Sequence, residues 1–135
     1  MTRQDLALAG YVAAGGALGS VARLVLGTLV QQRAGVGFPV GTLLVNVTGS
    51  VAIGAIMRWA AVGGAISLET RILLVTGVCG GYTTFSTFSY ETARLLEDGE
   101  QARALLYILL SVVLSLAGTF AGFVLARAAL GAGHR

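Results

Sequence analysis

Charged residues punctuate this chain at intervals, and the stretches between them are dominated by apolar positions. No charge falls from Leu6 to Ala22 (17 residues), Ala34 to Met57 (24), Ile72 to Tyr90 (19) or Ala104 to Ala126 (23). A bilayer's hydrocarbon core takes about 20 mainly apolar residues of helix to cross, so the pattern predicts four spans. The first stretch resumes after Arg23 through Leu24 to Val30. The spans are therefore placed at about 6–30, 38–59, 71–96 and 103–127, joined by short connections into one transmembrane domain covering 1–135. A cleaved leader fits poorly, because Gly, Ala and Leu continue past any cleavage site and Asp5 stands where a basic flank belongs. The N-terminal helix is expected to stay.

Composition agrees with an all-α membrane protein. Of 135 residues, 56% are apolar and 11% charged, too few charges to cover a water-soluble domain. Arginine supplies every basic side chain, nine against six acids. Catalytic chemistry has no foothold. His134 is alone in a basic tail, Cys79 can form neither an intrachain disulfide nor a closed metal site, and no phosphate loop, HExxH pattern or nucleophile beside a base occurs. The chain is read as a non-enzyme.

With four crossings the termini share a side with the connection from Ala60 to Thr70. That side carries Arg3, Arg58, Arg71, Arg127 and Arg135; the other carries Arg33, Arg94 and Arg103, with Arg23 leaning toward it. Orientation follows the excess of cations in short loops. So narrow a margin leaves two readings open, a single orientation or insertion both ways. Small residues four apart, Gly15 with Gly19, Gly16 with Ser20 and Gly118 with Gly122, let helices approach closely. They serve either packing within the bundle or a homodimer, and the homodimer is the economical way for so small a chain to enclose a path.

Polar residues inside the spans need protein, water or a substrate beside them. In the second span Thr42, Asn46 and Gly49 or Ser50 fall on one helical face. In the fourth, Tyr107, Ser111, Ser115 and Thr119 recur every four residues, a stripe that suits an ion track or plain hydroxyl bonding to the carbonyl four residues back. The third span is the least helical. Gly77, Gly80 and Gly81 precede Tyr82-Thr83-Thr84-Phe85-Ser86-Thr87-Phe88-Ser89-Tyr90, so a helix broken in mid-membrane is expected, with freed carbonyls suited to a cation and hydroxyls to an anion.

Three segments together resemble the Fluc (CrcB) family of fluoride channels: Gly77 to Phe88 in the third span, Gly37 to Gly49 in the second and Gly15 to Arg23 in the first. The likeness runs through the whole chain, less by fixed motif in the fourth span, and departs at Leu24, where many members carry an aromatic residue. It implies an antiparallel, dual-topology homodimer with two pores in a bacterial inner membrane that passively exports toxic fluoride. By the same resemblance Phe85 and Phe88 are the pore aromatics and Asn46 is a polar residue at the vestibule or pore. Thr42, Thr87, Tyr107, Ser111 and Ser115 line the polar track. The backbone carbonyls of Gly80 and Thr83 from both subunits hold a central structural sodium ion, and membrane lipid surrounds the assembly.

The chemistry is coherent with that expectation. Fluoride is small and strongly hydrated, so a selective path replaces its water with dense neutral donors, and a buried cation at the narrowest point would hold the ion too tightly to release it. A phenyl ring presents its positive edge to an anion and its negative face away. Packing is the ordinary use of two phenylalanines three residues apart, and only the flanking hydroxyls taken together with the family resemblance set this pair aside. Arg23 has two readings, attraction of anions into a vestibule or anchoring of the first helix; anchoring is favoured. Glu91 is read as structural, a partner for Arg94 or Arg23. The alternative function, a small dual-topology proton-coupled multidrug exporter, needs an embedded carboxylate, and only Glu91 is available.

Overall fold

The computed structural model describes residues 2–62 and 66–132, and every regular element there is helical. His134, Arg135 and the middle of the connection after the second span, 63–65, lie outside the described residues. Helix α1 (Arg3–Ala34) begins three residues before the predicted span because Thr2 and Asp5 form a capping box. The Asp5 N–H donates to the Thr2 hydroxyl (3.2 Å) and the Thr2 N–H to the Asp5 carboxylate (2.7 Å). It ends at Gly35, whose φ of 85° is left-handed, with the Gly35 N–H donating to the Gln31 carbonyl at 3.0 Å.

Gln31 then fastens the turn. Its amide nitrogen donates to the carbonyls of Gly35 and Phe38, and its amide oxygen accepts from the Gly41 N–H at 3.0 Å, at the start of α2 (Val40–Val62). The third crossing is composite. It consists of α3 (Leu68–Arg71), a wider π-helical stretch at Ile72–Cys79, α4 (Gly80–Tyr82), two extended residues, and α5 (Phe85–Glu97). A tight turn with Gly99 at φ 77° leads into α6 (Gln101–Ala132). Counting Leu68–Glu97 as one crossing, four helices are long and apolar enough to span a membrane.

Backbone-to-backbone approach at glycines sets the packing. On α1, a Cβ added at Gly15 or Gly19 would run into the backbone of Leu73, Gly77 and Val78, while Gly81 would meet the Gly16 carbonyl oxygen at 2.6 Å. Hence α1 and the third crossing lie side by side and run parallel. Helices α2 and α6 make the second parallel pair, with Gly54 against Thr119 and Gly122 against Val51 and Ala55. The stripes at Gly15, Gly19, Gly118 and Gly122 are thus consumed inside one chain, and of the two uses open to them the structure shows the intrachain one. The core is thin: Val45 and Tyr107 are its largest fully buried side chains. Most large apolar side chains face outward, as a lipid solvent permits.

Candidate functional site

The third crossing is interrupted where its sequence least favours helix. Thr83 and Thr84 take extended backbone (φ/ψ −82°/158° and −150°/115°) between Tyr82, which ends α4, and Phe85, which starts α5. Thr84 caps the restart, its hydroxyl accepting the Thr87 N–H at 3.1 Å and donating to the Thr87 hydroxyl at 2.9 Å. Asn46 on α2 holds the extended backbone from the side. Its Oδ1 accepts the Thr84 N–H (2.8 Å) and its Nδ2 donates to the Thr84 carbonyl (3.1 Å). In a continuous helix that N–H would serve the Gly80 carbonyl four residues back; Asn46 therefore releases Gly80's oxygen. On the α1 side, Ser20 donates to the Gly81 carbonyl and Arg23 to the Thr83 carbonyl, each at 3.4 Å.

Two open cavities meet at this interruption, with Thr84, 8% exposed, in the wall of both. The first, about 380 Å³, is lined by Asn46, Ser50, Phe85, Phe88, Ser111 and Ser115, with Gly80 and Thr83 at its edge. The Ser111 hydroxyl is buried there without a hydrogen-bond partner among the described residues. The second, about 510 Å³, is lined by Arg23, Thr42, Thr87 and Glu91. Glu91 accepts from Thr42 (2.8 Å) and from the Tyr107 hydroxyl (2.7 Å). Phe85 and Phe88 in the first wall have centroids 5.5 Å apart, and Phe88 packs on the buried Tyr107 ring behind it at 5.2 Å.

The family model described as "CrcB-like protein, Camphor Resistance (CrcB)" matches residues 10–123 of this chain. The chain belongs to the CrcB family. Curated relatives named "Fluoride-specific ion channel FluC" include one from Rhizobium meliloti, 52% identical over 117 residues (87% of this chain, 94% of the relative). Another from Thermus thermophilus is 51% identical over 120 residues (89% and 95%), and one from Geobacter sulfurreducens 53% over 116 (86% and 94%). CrcB relatives bearing that name are channels, which separates the family from enzymes, and four spanning-length helices make this member a multi-pass membrane protein.

Against that family background the placement of each expected residue is informative. Asn46, Phe85, Phe88, Ser111 and Ser115 share the first cavity, and Thr42 and Thr87 the second. Tyr107 lines neither; it is fully buried, and its hydroxyl is committed to Glu91. Glu91 differs from its expected pairing. Arg94 pairs with Asp98 (3.6 Å) and Arg23 with a carbonyl, so Glu91's contacts are the Thr42 and Tyr107 hydroxyls. Arg23 takes the anchoring reading by serving a carbonyl at a helix end.

Thr84, the residue common to both cavities, carried no assigned role in the sequence. The available signal was local: a threonine immediately before a helix restart is a preferred N-cap. Hydroxyl fates also divide the polar stripes. Thr48, Ser50 and Thr119 donate to the carbonyl four residues back, at 2.8, 2.7 and 3.1 Å, whereas Ser111 does not. Among the described residues there is no cluster of three His, Cys, Asp or Glu that could hold a metal.

Proposed function

We propose that this CrcB protein is a fluoride-selective channel that lets the ion leave the cell passively, working as an antiparallel, dual-topology homodimer with two pores. The observation that carries the reading is the first cavity, in which neutral donors and two phenyl rings converge beside a hydroxyl with no partner among the described residues. Desolvating fluoride requires replacement donors, and the unpaired Ser111 hydroxyl is one that costs no existing bond to recruit. Ser115 extends the donor row by one helical turn. Phe85 and Phe88 line the same cavity, and a phenyl ring can meet an anion with its positive edge. The ion would exchange past Thr84 with the second cavity, where Thr42 and Thr87 stand beside Arg23 and Glu91.

Assembly with a second copy is supported by what one chain leaves open. Phe85 is 79% exposed beside a cavity that a lone chain does not close. A broken transmembrane helix has the same logic, since its loosened carbonyls need cover. The expected sodium ion fits in part: Gly80's carbonyl is released by Asn46's capture of the Thr84 N–H, while Thr83's is shared with Arg23. Carbonyls of Gly80 and Thr83 from two copies would hold the ion, which would supply a fixed positive charge tying the two interruptions together.

The test is efflux from liposomes containing only the purified protein, followed with a fluoride electrode. Rapid fluoride release with chloride retained is expected. Equal passage of chloride, or transport that follows an imposed proton gradient and a cationic drug, overturns the reading, the second result in favour of the exporter.

A further inference from the structure

The end of the bundle away from both cavities carries an apolar groove between α2 and α6, about 470 Å³, walled by Ala55, Ile56, Trp59, Leu125, Ala129 and Leu130. By helical register two arginines flank the lining faces, Arg58 three residues after Ala55 on α2 and Arg127 three before Leu130 on α6. The Nε of Arg58 is buried and has no hydrogen-bond partner among the described residues. Ion pairs within 4 Å among those residues, Arg94 with Asp98 and Arg103 with Glu100, lie at the opposite end. The groove thus joins an apolar slot, a half-exposed indole and an uncompensated guanidinium within one turn of the end of α2, the depth at which Trp and Arg meet headgroups.

We infer that this groove is a binding site for an anionic glycerophospholipid, an acyl chain lying along Ala55, Trp59 and Leu125 and the headgroup phosphate accepting from Arg58. The depth of Arg58 and Trp59, within a turn of the end of α2, together with charge complementarity to a phosphate, points to this occupant, and cover by a second copy is an outcome of the test. A phosphate oxygen satisfies a guanidinium N–H more strongly than a neutral acceptor does. Zwitterionic lipid carries a compensating cation beside its phosphate and gains less.

Trp59 is the single tryptophan, so it reports on the groove directly. The full-length protein is reconstituted in vesicles of phosphatidylcholine containing increasing fractions of brominated phosphatidylglycerol or brominated phosphatidylcholine, and Trp59 quenching is measured. Brominated phosphatidylglycerol should quench at about fivefold lower mole fraction, the advantage of one arginine at a membrane surface. The advantage should vanish in Arg58→Gln and survive in Arg58→Lys, both of which should still be quenched by brominated phosphatidylcholine if folded. Equal quenching by the two lipids in the wild type overturns the proposal on its own, whatever the variants do. So does a preference that persists in Arg58→Gln, or a Trp59 that neither lipid reaches, the result expected if another copy covers the groove. Inorganic phosphate should leave the fluorescence unchanged; a shift with phosphate alone would make the site an ion site and sink the lipid assignment. Fluoride flux does not enter the readout, so failure here leaves the channel reading untouched.

Discussion

Ser111 and Asn46 show how differently two buried polar side chains can serve one site. Ser111 has no hydrogen-bond partner to lose among the described residues, so Ser111→Ala should leave the melting temperature of the purified protein unchanged while fluoride flux falls about tenfold, the worth of one hydrogen bond to a charged group. A loss of stability without loss of flux would reassign it to packing. Asn46 is engaged twice by Thr84's backbone. In Asn46→Asp the carboxylate keeps the acceptor for the Thr84 N–H but faces the Thr84 carbonyl without a donor, adding charge repulsion to a lost bond. Flux should fall well below wild type and stability by about 1–3 kcal/mol, read by electrode and by thermal denaturation in the same detergent. Phe85 and Phe88 separate likewise. Phe88 packs on Tyr107 and Phe85 is exposed, so Phe88→Ile should destabilise one chain more than Phe85→Ile, with flux suppressed in both.

At the scale of elements, glycines decide which helices touch. Gly54→Ala would drive a Cβ into the Thr119 backbone and Gly122→Ala into that of Val51, contacts that no side-chain rotation relieves. Each should cost about 1–3 kcal/mol and lower the fraction that remains monodisperse after heating, as seen by gel filtration. Gly10→Ala meets nothing within 4 Å and should be tolerated. The four crossings were legible in the charge spacing because lipid imposes a length, and the weakness of the third was legible in Gly80, Gly81 and the threonines after them. Boundaries were less so. Arginine can extend along a helix to reach water, so Arg3, Arg33 and Arg127 lie inside helices that the charge count had ended, and the stops are instead set by the Thr2–Asp5 box and by Gly35. The π-helical turn Ile72–Cys79 leaves no mark in an apolar run, and the Glu91 contacts join residues 16 and 49 positions apart, beyond any periodicity.

For the whole molecule, topology is the property on which the two-pore reading turns. The two parallel helix pairs place Arg3, Arg58, Arg71 and Arg127 at one end and Arg33, Arg94 and Arg103 at the other, with Arg135 adding a fifth to the first end in the sequence. Cations in short flanking segments resist translocation, and the proposed dual topology requires that so near-even a distribution let the chain enter the bilayer either way. Adding Gln4→Arg and Ala61→Arg, both at exposed positions, raises the first end from five to seven against three and should drive every copy to one orientation. If two opposed copies make the pore, this variant inserts but conducts no fluoride. A chain biased the other way, by Gln32→Arg and Gln101→Arg with Arg3→Gln, Arg71→Gln and Arg127→Gln, leaves two arginines at the first end against five at the other and should be silent alone for the same reason. Co-expression of the two should restore flux, because only the mixture supplies opposed pairs. Labelling of a single cysteine introduced in each end, from outside intact cells, checks the orientations independently. Full conduction by either biased chain alone would show that one orientation suffices, and the antiparallel dimer would have to be given up while the cavity chemistry stood.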